Sequence, residues 1–158
     1  MHSVAMLSIK PEFSEQILVG TKTIELRKSS FGLRRGDIIL VYESAPKQLL
    51  SFWFRVDFIE ELATDDMWQR HKDELGINQD DYRSYFDGME TATGLHISDI
   101  QILEPPLPLS ELCRVVPGFV PPQGLMWIRN NHGRFEALIK AISPPLPATS
   151  FPQASLFG

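Results

Sequence analysis

The chain has 158 residues, which suits one domain and leaves little room for two. Hydrophobic residues make up 43% and charged residues 22%, and the single cysteine, Cys113, excludes an intramolecular disulfide framework. A formal net charge of −5 excludes a uniformly basic nucleic-acid coat protein, and no stretch approaches the ~18 apolar residues that a membrane-spanning helix needs.

Val4 to Ile9 is a short apolar run and reads as a strand. Pro11 suits the first position of a helix that places Phe13, Ile17 and Leu18 on one face and closes at Gly20. Thr23 to Arg27 alternates polar and apolar, a strand with Ile24 and Leu26 on its core face. A polar turn at residues 33–37 leads into a buried strand from Ile38 to Tyr42, and Ser51 to Ile59 is another strand. Thr64 is the expected N-cap of a helix running to Leu75 and stopped at Gly76, with Asp65 and Asp66 where the helix dipole favours them. A second helix spans Asn78 to Phe86, and Gly94 to Leu103 is a strand. Pro105, Pro106 and Pro108 are expected to break regular structure after Leu103, with a loop at residues 117–123, a short strand at Leu125–Ile128 and a final helix at Arg134–Ile142. Pro144, Pro145, Pro147 and Pro152 mark an extended tail, so the domain is placed at residues 1–143 and the tail at 144–158. Strands without strict β–α alternation predict an α+β fold built on a small mixed or antiparallel barrel.

Charge is uneven along the chain. Residues 1–56 carry net +3, residues 57–111 net −11 and residues 112–158 net +3. The acidic middle is either the negative back of a polarised surface or a solvated helical face. A single cysteine and a start without a basic or long apolar run make the cytoplasm the expected location.

Two stretches together resemble the ASCH family. The first is Leu7-Ser8-Ile9-Lys10-Pro11 followed by Gly20-Thr21-Lys22-Thr23-Ile24-Glu25-Leu26-Arg27, a strand, a helix and then G-x-K-x-x-E-x-R on the next strand. The second joins residues 82–88, residues 107–112 and the Pro121-Pro122-Gln123 turn. The resemblance covers about residues 4–130 and implies a PUA-like mixed β-barrel with flanking helices and a cleft beside the Gly-x-Lys strand. It also implies single-stranded RNA or a modified nucleoside as the ligand, since the family's assigned activities are RNA binding, ribonuclease activity and amide hydrolysis on an acylated cytidine. The amidohydrolase members carry a threonine nucleophile where this chain has Glu25, and Thr23 lies two positions away, roughly 6–7 Å along a strand.

Strand geometry puts Thr23, Glu25 and Arg27 on one face, with Lys22 at the turn entering the strand. In a cleft, Lys22 would hold a phosphate or act as a base, Glu25 would accept from a base amine or relay protons, and Arg27 would fork onto phosphate. The same side chains also read as an ion pair on a barrel strand. The expected catalytic pair is therefore Lys22 and Glu25. Lys22, Arg27, Lys28, Arg34, Arg35 and Tyr42, with Lys47 nearby, are the expected nucleic-acid contacts. Phe31, Tyr42, Trp53 and Trp127 are candidate stacking faces.

His71, His96 and His132 show no metal-ligand spacing, so no zinc site is expected and a loose Mg²⁺ or Mn²⁺ is the only cofactor considered. Finally, Gln153-Ala154-Ser155-Leu156-Phe157 resembles the Q-x-x-L-F peptide by which bacterial DNA-processing proteins dock on the sliding clamp. That makes Gln153, Leu156 and Phe157 candidate partner contacts, and the protein a candidate non-catalytic adaptor.

Overall fold

A computed structural model describes residues 2–128 and 133–147. The elements are β1 (Val4–Ile9), α1 (Pro11–Val19), β2 (Ile24–Arg27), β3 (Ile38–Glu43), β4 (Leu49–Ala63), α2 (Thr64–His71), α3 (Gln79–Tyr85), β5 (Thr91–Pro108), α4 (Leu109–Val115), β6 (Leu125–Trp127) and α5 (Glu136–Ala141). The six strands form one sheet in the order β2-β5-β4-β3-β1-β6. β1 and β3 run parallel, and the other pairs are antiparallel, so the sheet is mixed, as the pattern of elements predicts.

Alternation along the central strands serves two cores. Val4, Met6, Ile38, Leu40 and Tyr42 face one side, where Leu112 of α4 and Leu138 of α5 cover them. Ala5, Leu7, Ile9, Ile39 and Val41 face the other, where Ile17 of α1 and the strand residues Phe52, Phe54 and Val56 close the layer. β3 is buried along its whole length because both of its faces are covered. A third cluster, Ile24, Leu26, Met67, Leu75, Tyr82 and Phe86, packs α2 and α3 onto the β2 edge.

Three expectations are corrected. Leu18 is exposed on the outer side of α1, which buries Ser14 and Ile17 instead. The prolines do not end β5, which continues to Pro108 and pairs Leu49 with Pro108 and Leu50 with Leu107. The register jumps between Leu50 and Phe52, so residues 103–106 bulge opposite Ser51. A bulge tolerates residues without an N–H donor, which is where a strand can carry Pro105 and Pro106. The third correction is α4, unforeseen in the sequence. It buries Leu112 and begins directly after Pro108, which sits at its N-cap.

The acidic middle is a solvated face. Asp65, Asp66, Asp73, Asp80 and Asp81 are exposed on and beside α2 and α3, while the apolar residues of the same segment turn inward. Among the described residues, no helix is long and apolar enough to cross a membrane.

Candidate active-site cleft

A cleft of about 200 Å³ opens between β1, α1, β2 and the turn between α2 and α3. Ser8, Lys10, Phe13, Lys22, Glu25, Arg27, Leu75, Ile77 and Tyr85 line it, together with Ile9 and Leu26. That is room for one planar base with part of its backbone, and far too little for a duplex.

The cleft floor is set by how α1 ends. Gly20 adopts φ 88°, the left-handed cap that glycine reaches without penalty. The N–H groups of Gly20, Thr21 and Lys22 then all donate to Gln16 O, at 3.0, 3.0 and 3.1 Å. This tight reversal folds the Lys22 side chain inward. Its ammonium donates to Ile24 O at 2.8 Å and to Leu75 O at 2.7 Å, and lies 3.4 Å from Glu25 Oε1. An ammonium has three hydrogens, and three acceptors surround this one. Burial pushes the Lys22 pKa below its ordinary 10.5, with Glu25 opposing the shift.

Glu25 is 6% exposed and sits between two cations. Arg27 Nη2 donates to Glu25 Oε2 at 3.0 Å and to Ser8 O at 3.1 Å. Burial alone would raise the Glu25 pKa, but Lys22 and Arg27 outweigh it and hold the carboxyl below its ordinary 4.5. Glu25 is thus an ionised acceptor fixed in place. Arg27 is the least committed member. Its Nε is buried and finds no partner among the described residues. A buried guanidinium N–H without an acceptor is costly unless a ligand supplies one.

Two aromatic rings flank this floor. Phe13 lies beside the Lys22 ammonium, with 5.5 Å from Nζ to the ring centroid. Tyr85 projects from the end of α3, and burial raises its phenol pKa. Lys28 sits 5.1 Å above the Tyr85 ring and so marks the cleft rim.

The fold sorts the remaining candidates. Lys22, Glu25 and Arg27 converge, and Lys28 stands at the edge. Arg34 and Arg35 are exposed on the turn before β3 and do not line the cleft; Arg35 lies 4.0 Å from Asp57. Tyr42 is corrected outright. It is 2% exposed in the α4/α5 core, edge-on to Phe119, because β3 points it to the face opposite α1. Lys47 is held by Glu15 at 3.1 Å and Glu43 at 3.7 Å. Trp53 and Trp127 pack in the cores, and Phe31 is exposed outside the cleft. Thr23 is exposed, and its hydroxyl donates to Glu74 at 3.2 Å rather than entering the cleft. Gln153, Leu156 and Phe157 lie outside the described residues.

Sequence reasoning missed Phe13 and Tyr85 as cleft rings and Lys10 as a cleft cation. Lys10 had a signal, since it directly follows β1, the strand that presents Ser8, and precedes α1. Tyr85 had none, because only the packing of α3 brings it over β2. The approach of two histidines to one another was hidden for a similar reason. Spacing patterns detect ligands on one element, whereas Glu60, His71 and His96 come from β4, α2 and β5 and meet with donor atoms within 4.8 Å of one another.

The ASCH domain model matches residues 7–101, which include the whole cleft. The chain belongs to the ASCH domain family. A curated relative, an ASCH domain-containing ribonuclease of Zymomonas mobilis, is 32% identical over 128 residues, spanning 80% of this chain and 85% of that protein. The crystal structure of an ASCH protein from Zymomonas mobilis has a TM-score of 0.80 at 28% identity, covering 89% of this chain and 96% of the other. A tyrosine-to-phenylalanine variant of the Z. mobilis protein gives the same TM-score of 0.80 at 27% identity, over 90% and 100% of the two chains. The structural agreement covers about nine-tenths of this chain, more than the segment that the domain model matches.

Proposed function

We propose that this ASCH protein binds single-stranded RNA in the cleft and cleaves it. The observation that carries the reading is the unpartnered, buried Nε of Arg27 beside an ionised Glu25, in a cleft with room for one base. The ribonuclease relative, aligned over four-fifths of the chain, supports the choice of RNA.

Each cleft group has a role on this reading. Arg27 takes a phosphate oxygen on the N–H that protein does not satisfy. Glu25 accepts from the ribose 2′-hydroxyl or a base amine, and the hydroxyl contact separates RNA from DNA. Held below the usual carboxylate range, it is a weak proton acceptor, so it orients a hydroxyl more than it removes its proton. Lys22 is a positioning residue. Its hydrogens are committed to Ile24, Leu75 and Glu25, and it keeps Glu25 charged and still. Phe13 and Tyr85 stack on a base, while Lys10 and Lys28 track the flanking phosphates.

The cleft hydroxyls offer no activated nucleophile. Ser8 Oγ donates to Pro122 O at 2.5 Å, so phosphodiester cleavage proceeds without a covalent enzyme intermediate. Among the described residues Glu25 is the one carboxylate of the lining, and two cations already neutralise it. Any Mg²⁺ or Mn²⁺ used in the reaction would be carried mainly by the RNA phosphates.

The test is to incubate the full chain at low salt with a labelled single-stranded RNA and with the DNA of the same sequence, with and without Mg²⁺ or Mn²⁺. Cleavage of the RNA and not the DNA is expected. No cleavage of RNA in any condition, or equal cleavage of both, would sink the reading.

A further inference from the structure

We propose that Glu60, His71 and His96 form a binding site for one divalent transition-metal ion of the Zn²⁺ class, separate from the cleft. β4 and β5 pair with Phe58 opposite His96 and Glu60 opposite Gly94, so Glu60 and His96 are diagonal neighbours on one face. α2 ends on that face and lowers His71 onto them. His71 Nε2 lies 2.8 Å from Glu60 Oε1, and His96 Nε2 lies 2.9 Å from the same oxygen. The two imidazole rings meet edge-on, with centroids 5.4 Å apart.

This is the donor set that suits borderline-soft dications, two imidazole nitrogens and one carboxylate. Zinc binds such ligands at about 2.0–2.2 Å, which puts neighbouring donor atoms roughly 3.3 Å apart in a tetrahedral site. The three donors already fall within 4.8 Å of one another, so small side-chain rotations suffice.

A second observation separates this cluster from an ordinary hydrogen-bonded triad. His71 Nε2 approaches Glu60 Oε1 to 2.8 Å without the alignment of a well-formed hydrogen bond. Both ring nitrogens of His71 are buried and without a hydrogen-bond partner among the described residues. Protein imidazoles in this state are rare, and a metal satisfies one of the two nitrogens directly.

The surroundings fit the outer part of a metal site. Glu74 Oε1 is 3.6 Å from His71 Nδ1, the place of the carboxylate that orients a ligating imidazole. Phe58 stacks on His96 with ring centroids 3.7 Å apart and fixes the plane of that ring. The three ligands are only partly buried, which leaves a path for entry and a fourth position for water.

The site is tied to the segment that builds the cleft floor. The Glu74 carbonyl accepts from the N–H groups of Thr23 and Ile24 at 3.0 and 3.3 Å, and the Leu75 carbonyl accepts from Lys22. A metal held by His71 therefore braces the turn that positions β2, and its effect is read as stability as well as binding.

The test uses the full chain, stripped with chelator, and needs no activity assay. Zn²⁺ is titrated by calorimetry, Co²⁺ is followed by its visible absorption, and melting temperature is measured with and without Zn²⁺. One equivalent of metal, Co²⁺ bands of low coordination number and a higher melting temperature with Zn²⁺ are expected. His71→Gln and His96→Gln should each lower the affinity more than about tenfold, and Glu74→Gln by about tenfold. Glu60→Gln, which keeps the side-chain shape, covers the case in which a histidine variant fails to fold. No binding by the wild-type chain overturns the proposal, and so does unchanged stoichiometry and affinity in the His96→Gln and Glu60→Gln variants.

Discussion

Replacing Lys22 by methionine isolates what the ammonium does, because methionine keeps a flexible unbranched stem and removes the charge. The structure shows three losses. Ile24 O and Leu75 O lose donors that approach to 2.8 and 2.7 Å, and Glu25 keeps Arg27 as its sole cation. A buried acceptor left without its donor costs about 1–3 kcal/mol, and removing one partner of a buried ion pair costs about 3–5 kcal/mol. These losses overlap, and Arg27 still compensates Glu25, so the expected total is about 3–5 kcal/mol. At about 2–4 °C per kcal/mol for a domain of this size, the melting temperature should fall by roughly 6–20 °C. Urea unfolding followed by tryptophan fluorescence and circular dichroism would show a lower midpoint at unchanged slope. A Lys22→Met protein within about 1 kcal/mol of wild type would mean that the ammonium is not the tie between β2 and the residue 75 turn, and the positioning role would fall with it.

Other consequences are as specific. Glu25 has a folded-state pKa below its ordinary 4.5, so its stabilisation is complete above that pH and is lost as pH falls through and below it. Glu25→Gln should therefore flatten the acid limb of a stability–pH curve below about pH 5, and an unchanged limb would contradict the ion-pair geometry. Gly76 has φ +67°, and a Cβ there would come within 2.0 Å of Gln16 Oε1 and 3.2 Å of Lys22 Cβ. Gly76→Ala should destabilise by at least about 1 kcal/mol and weaken RNA binding, measured by denaturation and fluorescence anisotropy. Tyr85→Ala should lower single-stranded RNA affinity by about 1–3 kcal/mol with little change in its salt dependence, as expected for a lost stacking face rather than a lost phosphate contact.

Much of the fold was readable because its signals are local. Short apolar runs placed β1 and β3 and polar–apolar alternation placed β2, each within a residue or so, and Pro11 and Gly20 bracketed α1 through their backbone preferences. The pairing of Glu25 with Arg27 was readable too, since period-two geometry sends both to one face and Lys22 precedes them at the turn. What escaped depends on elements meeting. Tyr42 lies on a strand that reads as buried, but which face it takes, away from the cleft and under α4 and α5, depends on how those helices pack. Arg34 and Arg35 sit close to the motif in sequence, but the turn before β3 carries them away from the cleft lining. Pro105, Pro106 and Pro108 read as breakers because propensity ignores bulges, whereas the β4–β5 ladder absorbs Pro105 and Pro106 in one and pairs Pro108 with Leu49 at its end. Glu60, His71 and His96 are invisible to spacing rules because no two of them share an element.

The most direct test of the cleft as the RNA site compares Arg27→Ala with Arg35→Ala in one experiment, measuring binding and cleavage of the same single-stranded RNA across a salt series. Arg27 reaches into the cleft, and Arg35 stands 79% exposed outside it. Arg27→Ala should lose at least about tenfold in affinity and cleavage, with a salt slope smaller by about one phosphate contact, while Arg35→Ala stays near wild type. Equal behaviour of the two variants would place RNA recognition elsewhere on the molecule.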